Sequence, residues 1–310
     1  MSARPSRGPR RVRWNTRQRE TWAGWLFAAP ALLGLLLFMA VPFVLAAGLS
    51  FTNLRLGSPL PTRFVGVENY ARLLEDDAFR RALLNNALFA LVVVPTQTAL
   101  ALGLALMLNL ELRGRAVYRA LFFMPVVFPM ALIAVVWQLI YAEGELGLMN
   151  GFLGAISLGY IEPQAWLRDP MLALPAIIVL SIWQGAGFQM VVLLAGLQAI
   201  PRTLYEAAAL DGANAWQRFR FVTLPQLRNP LVFTALITTI LAFRVFDQVQ
   251  IMTRGGPNKA TTTVMYEAVQ AAYGRQQVGY AAAMTVVFFV CVLTIALVQR
   301  RLVREEREVA

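Results

Sequence analysis

Stretches of about twenty or more mostly apolar residues recur along this chain, and no other property limits its fold so sharply. They run from about Ala23 to Leu49, Leu83 to Leu110, Ala120 to Tyr141, Met171 to Leu197, Leu231 to Gln250 and Gly279 to Val298. A bilayer core of roughly 30 Å takes about twenty helical residues to cross, so six crossings are expected. Each must be helical, because a lone strand in hydrocarbon leaves its backbone groups unpaired. Only 15% of residues are charged, against about 25% in soluble chains, so lipid is the expected solvent. The six runs show no internal repeat.

The net charge of +11 does not mark a nucleic-acid surface, because the arginines edge the apolar runs rather than forming one patch. Histidine is absent and Cys291 is the single cysteine, which removes the commonest metal ligand, the commonest general base and any internal disulfide. Lys259 is the only lysine, so the chain has no G-K-[ST] phosphate loop. Any ATP chemistry must come from a partner. HExxH and GxSxG are also missing, which leaves an intramembrane enzyme only carboxylates to work with.

Lysine and arginine counts orient the spans. With an even number of crossings, one side carries eighteen: Arg4, Arg7, Arg10, Arg11, Arg13, Arg17, Arg19, Arg113, Arg115, Arg119, Arg202, Arg218, Arg220, Arg228, Arg300, Arg301, Arg304 and Arg307. The other carries nine, and both termini are therefore expected in the cytoplasm. The first apolar run exceeds a secretory signal core of about 7–15 residues and reads as an uncleaved span, with Arg10-Arg11 as a twin-arginine address the lesser alternative. Val67 to Arg81 has helical apolar spacing at Tyr70, Leu73, Leu74 and Phe79, fit to lie at the interface or cap the outer face.

Ile200 to Pro230, between the fourth and fifth runs, is the most informative segment. Pro201 suits a first helical turn, Arg202 to Leu210 are mainly good helix formers, and Asp211-Gly212 supplies a break. A second short helix is expected from about Ala213 to Thr223, presenting Trp216, Phe219 and Arg220, with Pro225 ending it. Glu206, Ala207, Ala208, Asp211, Gly212, Ala213, Phe219, Leu224 and Pro225 resemble, residue by residue, the EAA motif of permease subunits of bacterial ATP-binding-cassette importers. Tyr118 to Pro125, Trp137, Gly147 to Asn150, Phe246-Asp247, Met252 to Pro257 and Thr261 to Thr263 are similar to the maltose-type carbohydrate branch. That branch's large inserted periplasmic domain is lacking here.

The resemblance implies an all-α membrane protein of the type I importer kind, with six transmembrane helices and a cytoplasmic coupling helix–turn–helix. Residues 1–21 and 300–310 would be cytoplasmic tails, 22–299 the permease domain and 200–230 the coupling loop. The partners implied are a second homologous permease, a cytoplasmic ATPase dimer that holds ATP and Mg²⁺, and an extracytoplasmic sugar-binding protein, in the bacterial inner membrane. Glu206 and Asp211 would anchor the coupling loop, with Arg218 and Arg220 pairing with them or with the ATPase, and Gly255-Gly256-Pro257 is an expected outer contact.

A sugar pathway calls for aromatic rings and amides inside the bundle. The candidates are Gln138, Trp183, Gln184, Phe188, Gln189, Phe243, Asp247 and Gln250, with Tyr141 secondary. Phe243, Asp247 and Gln250 share a helical face by spacing. Two alternatives stay open: interhelical glue for the glutamines, and simple compensation of Asp247 by Arg244. Rival cargoes are amino acids, phosphate, metals and polyamines. An ion-driven transporter would show inverted repeats and midplane carboxylates, and neither is visible.

Overall fold

The computed structural model describes residues 16–59, 61–110, 113–144 and 147–304. Arg4, Arg7, Arg10, Arg11, Arg13 and Arg307, and with them the twin-arginine reading, lie outside the described residues. In chain order, α1 (Thr16–Leu35) passes through a π-turn (Leu36–Ala40) into α2 (Val41–Leu49). There follow α3 (Glu68–Glu75), α4 (Asp77–Asn109), α5 (Arg115–Val127), α6 (Met130–Ile140), α7 (Leu148–Ile156) and α8 (Ala173–Gln198). Next come α9 (Arg202–Leu210), α10 (Ala215–Arg218), a π-turn (Phe219–Thr223), α11 (Leu224–Gln226), α12 (Arg228–Phe243) and α13 (Asp247–Met252). Finally α14 (Val264–Val269) and a π-turn (Gln270–Gly274) lead to α15 (Val278–Arg304).

Among the described residues, five stretches are long and apolar enough to cross a membrane: Glu20–Leu49, Asp77–Asn109, Ala173–Gln198, Arg228–Met252 and Val278–Arg301. The third run becomes α5 and α6, bent by 99° relative to each other, and the pair makes a sixth span if counted as one crossing. The span expected over 120–141 is thus two helices rather than one. Phe128 is extended at ψ 141° because Pro129 disfavours helical geometry in its predecessor, and Pro129 has no N–H with which to continue the ladder.

The bundle is centred on α4 against α8. At their coupling ends, Ala101, Ala105 and Leu108 of α4 meet Met190, Leu193, Leu194 and Leu197 of α8, with Leu227 closing the cluster. Small residues let the backbones approach, the usual substitute in lipid for a hydrophobic driving force. A Cβ at Gly187 would lie 2.2 Å from the Phe122 carbonyl oxygen of α5, and one at Gly185 would lie 2.4 Å from the Gln97 side chain of α4. A second cluster towards the opposite end gathers Phe89, Trp137, Ile177, Leu180, Val249 and Met284. The first span is hardly covered: α2 packs on α15, with Phe43 and Phe289 ring centroids 4.5 Å apart, and the rest presents apolar side chains outward as a lipid-facing helix does.

The segment expected as one helix from Val67 to Arg81 is divided. Asp76 is extended, and its side chain accepts from the N–H groups of Ala78 (2.8 Å) and Phe79 (3.3 Å), so it ends α3 and caps α4. Tyr280 donates its hydroxyl to the same carboxylate at 2.6 Å, and the Arg72 guanidinium lies 4.2 Å above the Tyr280 ring, which ties α3 to α15.

Candidate functional site

Two regions answer to the sequence-derived candidates, one at each end of α8. At the first, α8 stops at Gln198 and Pro201 caps α9, where Glu206 is exposed and Ala208 half-buried. The turn after α9 is a Schellman closure: Ala213 N–H donates to Ala208 O (2.9 Å) and Gly212 N–H to Ala209 O (3.1 Å), with Gly212 at φ +77°. Asn214 then caps α10. Its Oδ1 accepts from Gln217 N–H (2.9 Å) while the Gln217 side chain accepts from Asn214 N–H (2.8 Å). The helix–turn–helix is folded back by the hydroxyls of Tyr205 and Thr223, 2.9 Å apart, and Trp216 packs on Phe219 at 5.6 Å.

Two expectations are corrected here. Pro225 does not end the second helix: the chain stays helical from Ala215 through the π-turn to Gln226, with Pro225 inside it. Arg218 and Arg220 form no ion pair with Glu206 or Asp211 among the described residues. Arg220 lies over the Phe221 ring at 5.8 Å, and the Arg218 Nε is buried without a hydrogen-bond partner. The segment carries large apolar side chains on its surface: Leu210 is 90% exposed, Trp216 68% and Phe221 71%.

At the other end, α6, α8 and α13 converge. Trp183 and Trp137 meet at 5.6 Å with their rings tilted by 55°, Trp137 meets Tyr141 at 5.3 Å, and Tyr141 meets Trp166 at 5.8 Å. Gln138 donates to the Ile251 carbonyl at 2.7 Å, which pins α13 to α6. Gln184 is half-buried, and Phe188 is partly exposed on the same helix as Trp183. Gln189 is buried and donates to Thr238 Oγ1 of α12, leaving its Oε1 without a partner. Gln138 and Gln189 thus act as interhelical glue.

The fifth run is corrected most. The helix breaks at Arg244 to Phe246, where Phe246 has φ −142°, so Phe243, Asp247 and Gln250 do not share a helical face. Phe243 is in the core, its ring 6.0 Å from Phe288. Arg244 and Asp247 are both exposed and form no ion pair with one another. Gln250 is half-buried, with an Oε1 lacking a partner. The break's freed carbonyls are taken up by residues the sequence reading passed over. Asn86 of α4 donates to Phe243 O (3.2 Å) and accepts from Val264 N–H (2.9 Å), and Thr263 donates to Val245 O (3.0 Å). Asn85 donates to Lys259 O (3.0 Å) and Thr262 O (2.9 Å), and Gln248 to Ser181 Oγ (3.2 Å). Polar side chains inside apolar runs were the available signal.

The fold is shared with a solved chain of a bacterial ATP-binding-cassette transporter involved in the import of the acidic polysaccharide alginate, at a TM-score of 0.77 and 22% identity over 93% of this chain and 96% of that one. It is therefore the all-helical fold of that transporter chain. Residues 97–308 match the family described as binding-protein-dependent transport system inner membrane component, and the chain belongs to that family as a permease subunit. The trehalose/maltose transport system permease protein MalF of Thermococcus litoralis is 36% identical, over 94% of this chain and 96% of that protein. The lactose transport system permease protein LacF of Rhizobium radiobacter is 36% identical, over 78% and 80%.

Proposed function

We propose that this chain is half of the translocation pathway of a sugar importer worked by an ATPase bound at the α9–α11 end. The observation that carries the proposal is that segment: a capped, closed helix–turn–helix beginning at Arg202, four positions beyond the end of α8, and exposing Leu210, Trp216 and Phe221. Large apolar side chains at a solvated end of a membrane bundle suit a protein partner. Glu206, Ala207, Ala208, Asp211, Gly212, Ala213, Phe219, Leu224 and Pro225 make up the docking and coupling unit, and that end, with both termini, faces the cytoplasm. ATP and Mg²⁺ are held by the ATPase dimer. A second homologous permease completes the pathway, and an extracytoplasmic binding protein delivers sugar at the opposite end. The names of the trehalose/maltose and lactose relatives support a sugar cargo.

In the membrane, alternating access follows from moving α9 and with it the α8–α4 pair. Of the sequence-derived candidates, Trp183, Gln184, Phe188, Asp247 and Gln250 keep free or exposed surface for substrate, while Gln138, Gln189 and Phe243 position the helices around it. The test is uptake of maltose, trehalose and lactose into proteoliposomes holding the full complex and its binding protein. Uptake is expected to require ATP and to persist when ionophores collapse ion gradients. Uptake that ignores ATP and stops with the gradient would end this reading.

A further inference from the structure

At the end opposite the coupling segment, a cleft of about 490 Å³ opens among Gln138, Tyr141, Glu143, Arg168, Met252 and Thr253. Its size is that of a small-molecule site of roughly 300–1,000 Å³. The walls are fixed from behind. Asn150, only 5% exposed, donates to the carbonyls of Ala142 (3.3 Å), Gly144 (3.2 Å) and Gln164 (3.0 Å) and accepts from the Gln164 N–H (3.0 Å) and the Trp166 indole (2.8 Å). Tyr141 donates to the Ala176 carbonyl at 3.1 Å, and the Gln138 bond to Ile251 holds the α13 wall. These bonds hold the backbone beside the cleft at Ala142, Gly144 and Gln164.

Glu143 and Arg168 sit among the lining residues in a two-point ion pair, Nε to Oε1 at 2.9 Å and Nη1 to Oε2 at 3.2 Å. Both are exposed, and such surface pairs contribute at most about 1 kcal/mol to stability, so holding the loops together is a weak reason for the pair. Chemically it offers a carboxylate that accepts and a guanidinium that donates, with no net charge between them. Met252 and Leu167 add apolar wall. A net-neutral donor–acceptor pair beside apolar side chains fits a ligand with adjacent hydroxyls and a C–H face, and gives no advantage to an ion.

We infer that this cleft is an entry subsite for a neutral carbohydrate, in which Glu143 accepts from and Arg168 donates to neighbouring hydroxyls. The inference rests on the sugar-import reading above.

The test uses the complete permease–ATPase complex in nanodiscs, with equilibrium binding of radiolabelled maltose, trehalose and lactose in the absence of binding protein, and uptake measured separately. Glu143→Gln and Arg168→Ala are each expected to weaken sugar binding about tenfold, the loss of one charge-assisted contact, with Arg168→Lys in between. Unchanged sugar affinity in both single variants overturns the inference, as does a shift only in the binding-protein concentration needed for half-maximal uptake. In each of those cases ATP-driven sugar uptake by the wild type leaves the sugar-import reading intact; absence of such uptake for all three sugars removes both.

Discussion

The side-chain amide of Asn86 donates to the backbone carbonyl of Phe243 at 3.2 Å, closing across 157 residues the gap that opens where α12 breaks from α13. A break in a membrane helix frees backbone groups that lipid cannot satisfy, and Asn86, wholly buried, supplies both a donor and an acceptor there.

Replacing Asn86 by Leu, which keeps the branched outline of the side chain but neither polar atom, leaves the Phe243 carbonyl and the Val264 N–H buried and unpaired, at about 1–3 kcal/mol for each group. The expected result is a clear drop in melting temperature in detergent. Asn86→Asp, which keeps only the acceptor, is expected to fall between the two. Equal melting of all three proteins would show that the break is held by other means.

Close packing makes Gly187 of α8 unequal to Gly103 of α4. A Cβ at Gly187 would sit 2.2 Å from a backbone oxygen of α5, whereas one at Gly103 of α4 has nothing within 4 Å. Gly187→Ala is expected to destabilise by about 1–3 kcal/mol through forced separation of α5 and α8. Gly103→Ala is expected to be neutral or slightly stabilising, since alanine favours the helix. Thermal unfolding of the pair in the same detergent checks the contrast.

Gly212 has room around it but a left-handed backbone, so the obstacle to a side chain is the φ of +77°. Gly212→Ala costs about 1–2 kcal/mol at that turn, and a β-branched Val more. Uptake is expected to fall in that order with normal amounts of protein in the membrane. Glu206→Lys is expected to abolish uptake likewise, and wild-type transport by either Gly212→Val or Glu206→Lys would remove the coupling role.

Asp76 gives a pH signature. Burial works against its ionised form, but hydrogen bonds from Tyr280 and from the Ala78 and Phe79 N–H groups, with the charge of Arg275, outweigh it and hold the carboxyl below its ordinary value of 3.8. A lowered native pKa stabilises the fold at every pH above 3.8 and loses that contribution as pH falls through the depressed value. The melting-temperature gap between wild type and Asp76→Asn is therefore expected to be constant from neutral pH down to about 5 and to shrink below 4. A gap that widened on acidification would contradict this assignment.

Span number, helical class and the α9 turn were legible because they depend on local quantities: apolar length, a proline at a first turn, a glycine at a helix end. The Asn214–Gln217 capping box was equally legible by its three-residue spacing and was passed over. What escaped depends on partners far along the chain. Nothing near Arg244 announces a helix break, since the groups that make it tolerable, Asn86 and Thr263, lie on other segments. Gln138 and Gln189 read as ligands by residue type, and only the nearness of Ile251 and Thr238 shows their amides already engaged. Pro129, inside the third apolar run, is the local signal for the 99° bend.

The 26 residues of α8 make a rod of about 39 Å, with the first helix of the exposed turn starting four residues after its end. Such a rod acts as a lever: pivoting by about 5° at the coupling tip sweeps the far tip through roughly 3 Å. Trp183, about 22 Å along from that tip, moves by about 2 Å in the same tilt, so a modest push at one face of the membrane shifts the aromatic cluster near the other.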